Sequence, residues 1–206
     1  MAGRRLDHGA ERAVAELARR HWGFCPNVVP HLVEQLGPVR ALRWTVRASS
    51  TFDAAVRAHG PIRTHLACVA IAQIKGCSYT AHGHAYALEL HHLRQHDRLF
   101  PVDADTMAGW AGLPRSELRG RLRDALMSAG LHVELMWVDR TLALAEGDQQ
   151  PIDEDERRLA QLVTLLATLS AVGIVGGPEP DQAHDPINKD VRLKTRLAAL
   201  RAARSS

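Results

Sequence analysis

The stretch Arg63-Thr64-His65-Leu66-Ala67-Cys68-Val69-Ala70-Ile71-Ala72-Gln73-Ile74-Lys75-Gly76-Cys77-Ser78-Tyr79-Thr80-Ala81-His82-Gly83-His84 decides how the chain is read. Leu66, Val69, Ala70 and Ile74 recur at helical spacing and form an apolar stripe that stops at Gly76, a natural helix terminator. Pro61, just upstream, suits a first helical position. A second helix opens after Cys77-Ser78 and runs to about residue 95, with Leu88 on the face of His84. The pattern predicts two helices joined at Gly76-Cys77. Cys77 then sits at a helix start, where free amide N–H groups and the positive end of the helix dipole favour a thiolate. Thr80 and His84, three and seven residues on, share its face.

Outward from this core the same period persists. Residues 9–21 read as a short charged helix, ended by Trp22-Gly23-Phe24-Cys25-Pro26-Asn27. Residues 28–46 carry helical spacing at Val29, Leu32, Val33, Leu36 and Val39, broken only at Gly37-Pro38. Phe100-Pro101 ends the second helix of the core, and 106–112 reads as a short helix. Pro114 opens another, with Leu118, Leu122 and Leu126 on one face, and 132–145 leans helical. Asp153 as N-cap with Glu156 three residues later introduces Leu159, Leu162, Val163, Leu166 and Leu169. Gly176-Gly177-Pro178 closes that helix. No alternating strand pattern persists, so the expected fold is all-α. The expected organisation is one helical domain over 1–177, with its core motif at 61–95, followed by a Pro/Asp-rich linker and basic tail over 178–206.

Composition narrows the class. The 206 residues are 46% hydrophobic and 24% charged, which excludes a disordered chain. Three cysteines, at 25, 68 and 77, cannot form a fully paired framework, and the redox setting reads as cytosolic. The net charge of +3 comes from the end of the chain. Residues 188–206 hold six basic side chains and one acidic, which leaves the body slightly negative. Nucleic acid is therefore not expected as a partner. The opening residues lack the apolar core of a secretory signal. The apolar run 159–175 contains Gln161, Thr164, Thr168, Ser170 and Gly173 and reads as a buried helix rather than a membrane span. Trp22, Trp44, Trp110 and Trp137 read as core or interface anchors.

With Gly76-Cys77 and His84 in place, the chain resembles the alkylhydroperoxidase D and carboxymuconolactone decarboxylase family. There a glutamate lies twelve residues before the first cysteine of a Gly-Cys-x-x-Cys-x-x-x-His run. Two positions depart here: Thr80 stands at the second cysteine and His65 at the glutamate. The segment from Trp22 to His31 is similar to the Pro-Asn segment of peroxidase-related members, and 153–175 to their closing helix. The resemblance spans most of 20–175, with its specific part at 61–90. It implies the family's all-helical fold, a homo-oligomer, and peroxidase-type antioxidant chemistry on a small molecule in the cytoplasm. On that reading Cys77 is the redox thiol, His84 the base, His65 its partner and Thr80 a hydrogen-bond donor, with no cofactor. A threonine hydroxyl is too basic to replace an attacking thiolate. A sulfenic acid on Cys77 would need Cys25, Cys68 or an external thiol to resolve it.

The departures open two alternatives. If the two core helices pack as in that family, His65 and His84 face each other. With Cys77 they then make a transition-metal or small-ligand set, or an acid–base pair. The other alternative is a catalytically silent oligomeric scaffold. Within the stretch, His82 is expected at solvent or a subunit contact, since His-x-His cannot chelate one ion on a helix. The run from Glu89 to His96, with His91 and His92 between them, is expected as a solvated helix end, because a di-iron bundle needs a second Glu-x-x-His. No membrane partner is expected.

Overall fold

The computed structural model describes the backbone of residues 2–205 and the side chains of residues 11–204. Ten α-helices account for it: α1 (Ala2–Trp22), α2 (Val29–Leu36), α3 (Pro38–His59), α4 (Pro61–Ile74), α5 (Ser78–His96), α6 (Ala104–Ala108), α7 (Arg115–Ala129), α8 (Glu134–Glu146), α9 (Glu154–Gly176) and α10 (Val191–Ser205). A 3-10 turn at Pro186–Lys189 precedes α10. No strand occurs among the described residues, and the protein is all-α.

Local chemistry sets most boundaries where the sequence puts them. Gly37-Pro38 and Gly60-Pro61 each end one helix and start the next, with the proline in the first turn, where its missing N–H costs nothing. Asp153 caps α9 by accepting from the Glu156 amide at 2.8 Å, and the Glu156 carboxylate reaches back to the Ile152 amide. Three boundaries differ from expectation: α1 starts at Ala2 rather than at residue 9, and α3 and α6 also shift. α3 continues to His59 because Phe52, Ala55 and Val56 extend its apolar face to the next Gly-Pro break. α6 starts at Ala104 because Asp103 caps the Thr106 amide at 2.7 Å.

α4 and α5 form the central hairpin. α4 is apolar on nearly every side and buried from Thr64 to Gln73, as expected of a helix with neighbours all round. One of its faces joins Val14, Leu32, Phe52, Leu159 and Leu166 in a core shared with α1, α2, α3 and α9. Another joins Leu88, Met107, Leu118, Leu122 and Leu142 in a core shared with α5, α6, α7 and α8. A third core places Leu90 and Leu93 of α5 against Ala183, Ile187 and Leu197. α9 is long and apolar enough to cross a membrane by length and composition. In this structure Leu159, Leu162, Leu166 and Leu169 spend that apolarity on the core.

The segment from Pro178 onward, expected as a linker and basic tail, packs into the molecule. Asp181 accepts from the Asn27 amide at 2.7 Å, and Asn27 Nδ2 donates to the Glu179 carbonyl at 3.1 Å. α10 lies along α5, where its Arg201 pairs with Glu89. That segment delivers three side chains to the site.

Candidate functional site: a buried histidine and aspartate cluster

His65 comes from the middle of α4 and His84 from the second turn of α5, so the hairpin itself brings them together. Their Nδ1 atoms lie 3.2 Å apart, and both side chains are buried. On the far side of His65, Nε2 is 3.0 Å from Oδ2 of Asp185. The other oxygen of Asp185 receives His91 Nε2 at 3.1 Å and the Ile187 amide at 2.7 Å. Burial opposes ionisation of Asp185, but the hydrogen bonds from His65 and His91 outweigh it and hold the carboxyl well below the usual carboxylate range. Burial also pulls His65 and, further, His84 below the ordinary imidazole value, the latter with the neighbouring His65 and His184 adding to the effect.

These observations fix the hydrogens. A carboxylate only accepts, so His65 donates from Nε2. A neutral His65 then has a bare Nδ1, and the bond of 3.2 Å requires His84 to donate from its own Nδ1. The remaining nitrogen of His84, Nε2, carries a lone pair.

His84 lines a cavity of about 70 Å³ walled almost wholly by apolar atoms, among them Trp22, Leu32, Trp44, Phe52 and Leu166. Phe52 lies against both site imidazoles, with ring centroids 5.3 Å from His65 and 5.7 Å from His84. Besides His21, a further imidazole, His184, lines the same cavity. Its Nε2 is 3.1 Å from Asp181, which also accepts the Tyr79 hydroxyl at 2.7 Å. His184 stacks on Trp22 at 5.6 Å and its backbone amide donates to the Gly83 carbonyl at 3.1 Å. Gly83 makes this approach possible: a Cβ there would stand 2.4 Å from Nδ1 of His184.

Cys77 and Thr80 form a separate pair. The thiol donates to the Thr80 hydroxyl at 3.3 Å, and both residues are buried. Cys77 is the N-cap residue of α5, as expected, and its sulfur packs against α9, where a Cβ on Gly173 would approach it to 2.9 Å. Seven residues of helix amount to about 10.5 Å of rise. Among the described residues no hydrogen bond joins Cys77 or Thr80 to His65 or His84. The thiol lines a different cavity, bounded by Gly76, Ser78, Tyr79 and Pro178 to Pro180. Burial pushes the Cys68 thiol far up, and Cys25 is half-buried.

The structure corrects the reading of the other histidines. His82 is nearly buried and faces Asp105 at 3.3 Å rather than solvent. The run from Glu89 to His96 is solvated only at its end, from Arg94 to His96, and not over Glu89, His91 and His92. Glu89 is buried, accepting from the Ala104 amide at 2.9 Å beside Arg201, and burial lifts its carboxyl to about 7. His92 is buried against the Arg98 carbonyl, and His91 belongs to the Asp185 cluster. Asp181, His184, Asp185 and His91 thus join the site, although the sequence alone does not single them out for it. The one sequence signal for three of them is the spacing Asp181-x-x-His184-Asp185 inside a Pro-rich segment.

Comparisons with protein-family models, with curated proteins and with solved structures found no match for this chain.

Proposed function

We propose that the protein takes a small, largely apolar molecule into the cavity walled by Trp22, Trp44 and Phe52 and exchanges a proton with it through His84. The observation that carries this reading is the chain Asp185–His65–His84, which ends at a lone pair on a cavity-lining ring. Uptake of a proton at His84 Nε2 passes the Nδ1 hydrogen of His84 to Nδ1 of His65. The resulting imidazolium lies against the Asp185 carboxylate, which stabilises the charge where it comes to rest. The low-dielectric surroundings strengthen each of these interactions. An apolar cavity of about 150 Å³ holds a benzene ring, so this one suits a ligand of only a few heavy atoms.

Nitroethane, a small carbon acid of about that size, tests the reading. Its deprotonation, followed by nitronate absorbance, is expected to run faster with the protein than in buffer and to lose that acceleration in His84→Phe. General-base groups contribute about 10²- to 10⁴-fold. A rate equal to buffer, or an undiminished rate in His84→Phe, refutes the reading.

The second reading is the degenerate Cys-x-x-Thr peroxidase implied by the resemblance to alkylhydroperoxidase D. What favours it is Cys77 at the N-cap of α5 with a hydroxyl 3.3 Å from its sulfur. Turnover of ethyl hydroperoxide that disappears in Cys77→Ser would support it. An unreactive Cys77 in iodoacetamide labelling removes it.

A further inference from the structure

The Asp185 cluster has a second side. His65, His91 and Asp185 each offer one ligand atom, and these atoms all lie within 4.8 Å of one another, with Nε2 of His65 and of His91 at 3.0 and 3.1 Å from the two carboxylate oxygens of Asp185. The three come from α4, α5 and the segment before α10, so two packed helices and a docked stretch of chain hold them. Their side chains are 0, 13 and 7% exposed. The outer face of the cluster is reached from an open surface cavity of about 340 Å³ lined by Phe52, Asp53, Val56, His91, Arg94 and Asp185. Two imidazole nitrogens and one carboxylate, with room on one side, form a donor set that suits divalent transition ions such as zinc or iron.

We infer that His65, His91 and Asp185 form a binding site for a divalent first-row transition ion. The inference goes beyond proton exchange at His84 and does not need the apolar cavity to be occupied. The hydrogen bonding around the cluster supports it. An ion on Nε2 of His65 requires the ring hydrogen on Nδ1, and His84 Nδ1, 3.2 Å away, accepts it once His84 moves its own hydrogen to Nε2. Metal-bound histidines are held in this way by a bond from their other nitrogen. His91 likewise moves its hydrogen from Nε2 to Nδ1. All three rings, His65, His91 and His84, change tautomer, Asp185 exchanges two N–H donors for one cation, and no net proton is released.

A consequence follows inside the apolar cavity. Once His84 accepts at Nδ1, its hydrogen stands on Nε2. The ion turns the group that His84 offers the cavity from an acceptor into a donor and interrupts the proton chain. Bound ion and proton exchange are therefore alternative states of one cluster.

The test uses the full chain without a histidine tag, stripped with chelator and titrated with Co²⁺. One equivalent is expected to bind, with visible d–d bands and without the near-ultraviolet charge-transfer band of a thiolate ligand. A thiolate band, or no binding by the stripped protein, overturns the assignment. His91→Ala is expected to weaken binding by more than the 10- to 100-fold that losing an outer partner costs, and His84→Phe by about that 10- to 100-fold. Cys77→Ser is expected to bind as the wild type does. Undiminished binding in His91→Ala would place the ion on other histidines and end the proposal. The wild-type spectrum decides the ligand type even if a variant fails to fold.

Discussion

Nε2 of His65 and Oδ2 of Asp185 meet at 3.0 Å across 120 positions of sequence. The contact ties the central hairpin to the segment that precedes α10. It also sets the tautomer of His65 and, through it, that of His84. The cluster is thus a property of the docked chain end as much as of the α4–α5 hairpin.

Asp185 is where this dependence is most exposed. Asp185→Ala leaves His65 Nε2–H, His91 Nε2–H and the Ile187 amide without an acceptor. The expected loss in urea unfolding is on the order of 3 kcal/mol. Asp185→Asn keeps one acceptor oxygen but sets an amide against His65, so His65 should shift its hydrogen to Nδ1 and His84 its own to Nε2. Nitrogen-15 spectra of the two rings read this directly. Unchanged tautomers in Asp185→Asn would contradict a His65 that donates to Asp185 from Nε2.

Gly83 offers a test of the His184 imidazole. A methyl group there would meet the His184 ring at 2.4–2.5 Å. Gly83→Ala should displace His184 from Asp181 and lower stability by about 1–3 kcal/mol, despite alanine's helix propensity. Gly120 of α7, whose added Cβ meets nothing within 4 Å, is the counterpart. Gly120→Ala should stabilise by about 0.5–1 kcal/mol. Thermal melts of the pair separate packing from propensity, and a stable Gly83→Ala would show that His184 has somewhere else to go.

Glu89 predicts a pH dependence. Burial raises its carboxyl from the ordinary 4.5 to about 7 in the folded protein. Between those values the folded state holds a proton that the unfolded chain has released, so the unfolded state binds fewer protons and stability falls as pH rises. Its contribution to that fall is on the order of 3 kcal/mol between about pH 4.5 and 7. Glu89→Gln should flatten the dependence in that window. Parallel slopes in the two proteins would place the proton elsewhere.

Ending the chain after Gly177 removes Asp181, His184 and Asp185. It also uncovers Leu90 and Leu93 and leaves Glu89 without Arg201. Hydrogen exchange in that truncated form should rise along α4 and α5, not only at the new end. Protection equal to the full chain in α5 would mean that the C-terminal segment is dispensable to the hairpin.

The helices are largely legible in the sequence because punctuation and period are local properties. Gly37-Pro38, Gly60-Pro61 and the Asp153/Glu156 cap mark their own boundaries. The pairing of His65 with His84 is also within reach, since both sit on one hairpin. Asp185 is not: its partner lies 120 residues away, and nothing in a Pro/Asp-rich stretch reveals which surface it will cover. His91 misleads for the same reason. Helical spacing places it on a polar face, but the face is covered by residues that only the folded chain supplies. Glu89 repeats the lesson, because in the sequence its partner Arg201 is one more charge on a basic tail.

The sequence distances in this cluster also dictate an order of assembly. Asp181 joins residues 154 and 102 positions away, at Asn27 and Tyr79, and Asp185 joins one 120 positions away. Helical turns close over four residues, whereas these bonds close loops of more than a hundred and carry the larger entropic cost. The hairpin can therefore form while the segment around Asp185 is still free. During synthesis the α4–α5 hairpin leaves the ribosome well before Asp185 does, so the acceptor that fixes the tautomer of His65, and through it that of His84, is made 120 positions after His65 itself.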